Sequence, residues 1–117
     1  MILALVDDLM FTSKIRATAA RLGVPVVFAR SKDSALAEMS KTRPSLVVLD
    51  LNSQRIDPLS IVAAMKADAT LADIQSVGFV SHVQTDLIDR ARQAGVGEVM
   101  ARSAFTLQLP DIVARGR

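Results

Sequence analysis

Ser45-Leu-Val-Val-Leu-Asp50 holds four aliphatic residues between a serine and an aspartate, and Leu51 and Asn52 follow it. So short an apolar run, with no polar alternation, reads as a strand buried on both faces, and such strands belong to parallel sheets. Three other runs share the pattern. Ile2 to Val6 runs into Asp7 and Asp8, Val77 to Val80 into Ser81, and Val99 to Ala101 into Arg102. All strands of a parallel sheet point one way, so residues just past their carboxyl ends gather along one edge. Three carboxylates, a hydroxyl and a guanidinium are therefore expected to converge.

The rest of the composition agrees. A chain of 117 residues forms a single domain, residues 1–117, able to bury roughly two thirds of the surface its unfolded form exposes. Half of the residues are hydrophobic and the only aromatic residues are four Phe, so the expected core is Ile, Leu, Val, Ala and Met. The lack of cysteine excludes a disulfide framework and a thiol nucleophile, and suits a reducing cytoplasm. The first apolar run breaks at two aspartates, too early and with the wrong flank for a signal peptide, and no run approaches a membrane span. Fourteen basic and twelve acidic residues are spread along the chain, without the concentrated basic face that direct nucleic-acid binding needs.

Between the strands the apolar spacing turns helical. Phe11, Ile15, Ala19 and Leu22 recur at three and four, and Gly23 follows as a stop, which predicts a helix from about Met10 to Leu22. Pro25 to Ala29 is a short β-rich run. Ser31 or Asp33 can cap a second helix that ends before Pro44, and Asp57 followed by Pro58 predicts a capped helix from Pro58 to about Ala67. Residues 68–75 read as a loop with a helical turn. Thr85 is expected to cap a helix that stops at Gly95, and a short last helix is expected to begin near Pro110. Strands and helices thus alternate five times, which implies βαβ crossovers and a three-layer, doubly wound (βα)5 α/β fold with a parallel five-stranded sheet. The expected strand order is the flavodoxin-like 2-1-3-4-5, whose crevice opens where the first and third strands lie side by side.

That crevice would receive Asp7, Asp8 and Asp50, with Ser81 and Arg102 lining its other side. Clustered carboxylates repel and await a cation, and Mg²⁺, a hard ion that takes oxygen ligands and phosphate, fits best. A carboxylate can also attack phosphorus and become an acyl phosphate, and Asp50 on the central strand is the natural candidate. Ser81 and Arg102 could then contact the phosphoryl oxygens. Each residue has a plainer reading too: Asp7 and Asp8 as a solvated loop and helix cap, Arg102 as a surface arginine. His82 is read as a loop residue, because no second histidine, cysteine or serine triad gives it catalytic work.

With these residues in view, the chain resembles a response-regulator receiver domain, the CheY-like phosphoacceptor module of two-component signalling. The resemblance spans essentially the whole length. It rests on Asp7-Asp8 in LALVDD, Asp50 in LVVLDLN, Ser81 in VGFVSH, and QAGVGEVMAR ending at Arg102. It implies that Asp50 takes a phosphoryl group from a histidine kinase or phosphotransfer protein. It implies that Asp7, Asp8, Asp50 and the backbone carbonyl of Asn52 hold Mg²⁺, and that Ser81 moves toward the phosphate. It also implies a downstream protein partner on the face of the fourth helix, fifth strand and last helix, or a second copy of the chain.

The chain departs from the family's pattern at several points. Arg102 stands where the family has lysine and Ser103 where proline usually follows; Ser53 and Gln54 replace a Met-Pro pair; Val99 takes the place of an aromatic switch residue. His82 is bulkier than the small residue often found beside the hydroxyl. These departures motivate a second reading, a degenerate receiver that serves as a phosphorylation-independent interaction module. A third, an aspartyl-phosphate phosphatase, lacks its general acid, because Asn52 occupies the place two residues after Asp50. With no room for an output domain, the effect would act in trans or the domain would belong to a longer protein.

Overall fold

The computed structural model describes residues 1–81 and 84–117. Five strands alternate with five helices: β1 (Ile2–Leu5), α1 (Leu9–Leu22), β2 (Val26–Phe28), α2 (Lys32–Thr42), β3 (Leu46–Asp50), α3 (Pro58–Ala67), β4 (Gln75–Val80), α4 (Thr85–Ala94), β5 (Glu98–Ala101) and α5 (Arg102–Ala114). The sheet is wholly parallel in the order β2-β1-β3-β4-β5. This is the flavodoxin-like topology expected from the apolar runs.

Every residue of β1 and β3 is buried, as runs without polar alternation require of central strands. Successive side chains go to opposite faces. Leu3, Leu5, Val47 and Leu49 join the core under α2, α3 and α4, while Ile2, Ala4, Leu46 and Val48 join the core under α1 and α5. Three layers result. Each fully buried Leu, Ile or Val contributes roughly 1.5–3 kcal/mol over an exposed one, whereas a surface ion pair contributes about 0–1 kcal/mol. Apolar burial therefore sets the strand positions, and the polar residues at their tips are carried along.

The core is less aliphatic than composition implies. Phe11, Phe79 and Phe105 stack between sheet, α1 and α5, with ring centroids 4.9 Å apart for Phe11 and Phe79 and 4.5 Å for Phe79 and Phe105.

Several helix ends differ from their sequence expectation. Ser31 does cap α2, accepting the Ser34 N–H at 3.1 Å. Asp57 does not cap α3: its φ of 27° lies in the left-handed region rather than the extended one an N-cap adopts, and its side chain makes no cap bond. Thr85 is the first residue of α4 rather than its cap, and the preceding Gln84 makes no side-chain cap bond. The largest correction is α5, which begins at Arg102 and carries Pro110 in its interior. Buried Phe105, Leu109, Ile112 and Val113 recur at helical spacing on both sides of the proline, and their burial outweighs the one backbone hydrogen bond it removes.

At the amino edge of the sheet, the Ser45 hydroxyl accepts from the Met1 amino group at 3.0 Å and reaches the Gly116 carbonyl at 3.0 Å. At the opposite, carboxyl edge, Gly78 on β4 lies so close to β3's exit that a Cβ there would sit 2.8 Å from Leu51 Cδ1.

Candidate functional site

The carboxyl ends of the strands open onto a cavity of about 600 Å³. Asp7, Asp8, Asp50, Asn52, Ser81 and Arg102 all line it, so the predicted site residues share one crevice. Arg30, Arg55 and Phe79 line it as well. Arg30 was legible in principle: it sits just past β2, where the strand-tip rule that found the other residues applies equally. His82 lies outside the described residues.

Asp50 ends β3 and is 8% exposed. It shares the parity of Leu46 and Val48, which places it on the α1/α5 side of the sheet. Its Oδ1 accepts the Asn52 N–H at 3.0 Å. Burial pushes its pKa up; the Asn52 N–H and the Arg102 charge pull it down, and the neighbouring Asp7 and Asp8 charges add to the rise.

Asp8 is differently placed. Its Oδ1 caps α1, accepting from the Met10 N–H at 2.9 Å and the Phe11 N–H at 3.2 Å, and its Oδ2 accepts from Arg102 Nη2 at 2.8 Å. The Phe11 N–H, followed by Arg102 and the Met10 N–H, holds its pKa down against a smaller effect of burial. Both oxygens accept hydrogen bonds. The plain helix-cap reading of the acidic pair thus holds for Asp8.

Arg102 opens α5 directly after β5. Its guanidinium lies 4.3 Å over the Phe11 ring and pairs with Asp8, each side chain 36% exposed. Its Nε is buried with no hydrogen-bond partner among the described residues. Asn52 links two loops: its side-chain Oδ1 accepts the Ser81 N–H at 2.7 Å and its Nδ2 donates to Gln84 Oε1 at 2.6 Å. The sequence pointed only to its backbone carbonyl.

The three carboxylates share the cavity, yet among the described residues no three acidic or histidine side chains form a group able to hold a metal ion. Asp7, Asp8, Asp50 and Asn52, the residues expected to hold Mg²⁺, all line this cavity.

No protein-family model matches the chain, and no curated protein matches it. Solved structures do. The phosphorylated cyanobacterial phytochrome response regulator RcpA is 29% identical, with a TM-score of 0.80 over 96% of this chain and 86% of its own. Chemotaxis protein CheY4 of Vibrio cholerae, 16% identical, gives 0.83 over 99% and 97%. The Mn²⁺-bound response regulator Rcp1, 18% identical, gives 0.80 over 95% and 89%.

The chain has the fold of CheY-like receiver domains. In this chain Arg102 is turned onto Asp8 and Phe11. The half-buried Val99 on β5 supplies no ring. Among the described residues, no helix is long and apolar enough to cross a membrane.

Proposed function

We propose that the chain is a two-component signalling receiver whose phosphoacceptor is Asp50. The observation that carries this reading is the position of Asp50: a buried carboxylate at the tip of the central strand, opening onto a cavity that Ser81 and Arg102 also line. With Oδ1 held by the Asn52 N–H, Oδ2 is left to attack phosphorus. The oxygen–phosphorus bond forms as the bond to the donor breaks, and the donor leaves with its electron pair. The product is an acyl phosphate. Ser81 and Arg102 supply a hydroxyl and a positive charge for the phosphoryl oxygens, and Arg30 and Arg55 add positive charge around the cavity.

A histidine kinase or phosphotransfer protein would supply the phosphoryl group, in the cytoplasm. The output would be a change in protein binding on the face of α4, β5 and α5, to a downstream protein or a second copy of the chain; α5 carries Leu107, which is 83% exposed. The Mn²⁺ held by Rcp1 supports a divalent-ion dependence, with Mg²⁺ as the expected ion.

The test is intact mass after incubation with a small phosphodonor, with and without Mg²⁺. One phosphoryl increment, absent in Asp50→Ala, is expected. No increment with any donor would favour the second reading, a phosphorylation-independent interaction module. That reading is supported by the pairing of Arg102 with Asp8 and by Val99 on β5.

A further inference from the structure

Arg102 makes two contacts that bind it to one place and leaves a third group unmatched. Nη2 donates to Asp8 Oδ2 at 2.8 Å, and the guanidinium carbon lies 4.3 Å over the Phe11 ring. A guanidinium closes on a carboxylate most firmly with two parallel N–H donors. Here the grip has one, and the buried Nε has no partner among the described residues. The pair is formed but not saturated.

Its location gives it a consequence. Asp8 and Arg102 line the same cavity as Asp7 and Asp50. The Arg102 charge already acts on Asp50, favouring its ionised form where the Asp7 and Asp8 charges disfavour it. A divalent ion entering the cavity would meet a guanidinium of like charge, and a carboxylate whose oxygens already accept three hydrogen bonds. The two cations compete for one negative field.

We propose that Arg102 is the built-in counter-cation of this crevice, held on Asp8, and that a divalent ion binds only when the Arg102–Asp8 pair opens. The proposal rests on the reading of the crevice as the receiver's acidic site but not on phosphoryl transfer. Arg102 then sets cation affinity. The ion that enters gains Asp8 Oδ2, and the released guanidinium is free to turn its unmatched Nε toward another acceptor.

The experiment uses Mn²⁺ alone, without a phosphodonor, and reads free Mn²⁺ by electron paramagnetic resonance in titrations of the whole protein. Arg102→Ala is expected to bind Mn²⁺ about tenfold more tightly than the parent, because it removes a full charge beside the site. Asp50→Ala in that background should abolish the gain. Equal or weaker affinity in a folded Arg102→Ala protein, or no Mn²⁺ binding by either protein, overturns the proposal. Arg102→Gln serves if the alanine variant does not fold.

A second readout needs no variant. As Mg²⁺ is titrated into the parent protein, the Arg102 Nε–H resonance should shift in step with the amides of Asp7 and Asn52. Saturation with that resonance unmoved would also overturn the proposal. Because neither measurement involves phosphate, failure here leaves the assignment of Asp50 standing, and failure of the phosphoryl assay leaves this one standing.

Discussion

The side-chain Oδ1 of Asn52 accepts the backbone N–H of Ser81 at 2.7 Å, tying the loop that follows β3 to the loop that follows β4. The same side chain donates to Gln84 Oε1 at 2.6 Å, just ahead of α4. One residue thus spans the side of the crevice between the proposed acceptor and its hydroxyl.

Asn52→Ala removes both bonds and leaves a half-buried N–H unpaired, at an expected cost of about 1–3 kcal/mol. The measurement is the denaturant midpoint, together with hydrogen exchange of the Ser81 amide, which should speed up far more than amides in β1. Unchanged exchange at Ser81 would show that the bond does not position that residue.

Asp50 makes stability depend on pH in an unusual direction for a carboxylate. Its folded pKa lies above the ordinary 3.8, chiefly because burial penalises the charge. The folded state therefore holds this proton more firmly than the unfolded state. The stabilisation is complete below pH 3.8 and is lost as pH rises through the folded value, so the ionised carboxylate is a net cost at neutral pH. Asp50→Asn is expected to melt higher than the parent at pH 7, with the advantage disappearing below pH 3.8. Thermal unfolding at the two pH values checks this.

Asp8 behaves oppositely. Hydrogen bonds from Phe11, Arg102 and Met10 hold its pKa below 3.8, so its contribution is present above 3.8 and lost as pH falls through the lowered value. Asp8→Ala removes cap and ion pair and should cost about 1–2 kcal/mol. Asp8→Asn keeps a capping oxygen and should lose less than about 1 kcal/mol, since a half-exposed ion pair contributes little. Chemical denaturation of both variants separates the two roles; equal losses would mean that the cap contributes nothing.

Gly78 makes room for Leu51, which is 4% exposed and whose Cγ would lie 3.0 Å from a Cβ at position 78. Gly78→Ala is expected to destabilise the protein by about 1–3 kcal/mol through overpacking. Combining it with Leu51→Ala should cost less than the two separate losses added together, and a double-mutant cycle of unfolding free energies measures the difference.

Much of this arrangement was legible from the strand runs. Leu46 to Leu49 and Ile2 to Val6 carry no polar alternation, and that alone places them at the centre of a parallel sheet with Asp50, Asp7 and Asp8 at its carboxyl edge. What sequence could not show was orientation. Asp8 gives one oxygen to the amides of α1 while lining the crevice, and Arg102 meets the other through a contact 94 positions apart. Pro110 hid α5 because a local breaker rule was given more weight than the apolar spacing from Phe105 to Val113. The Phe stack joins residues from α1, β4 and α5, which no single window of sequence brings together.

The Ser45 hydroxyl gathers both chain ends at the sheet's amino edge, with the acidic crevice at the far side. Fluorophores, affinity handles or a surface tether fused at either terminus would thus stand clear of the chemistry. A short linker joining residues 117 and 1 should permit a circular permutant reopened in an exposed loop.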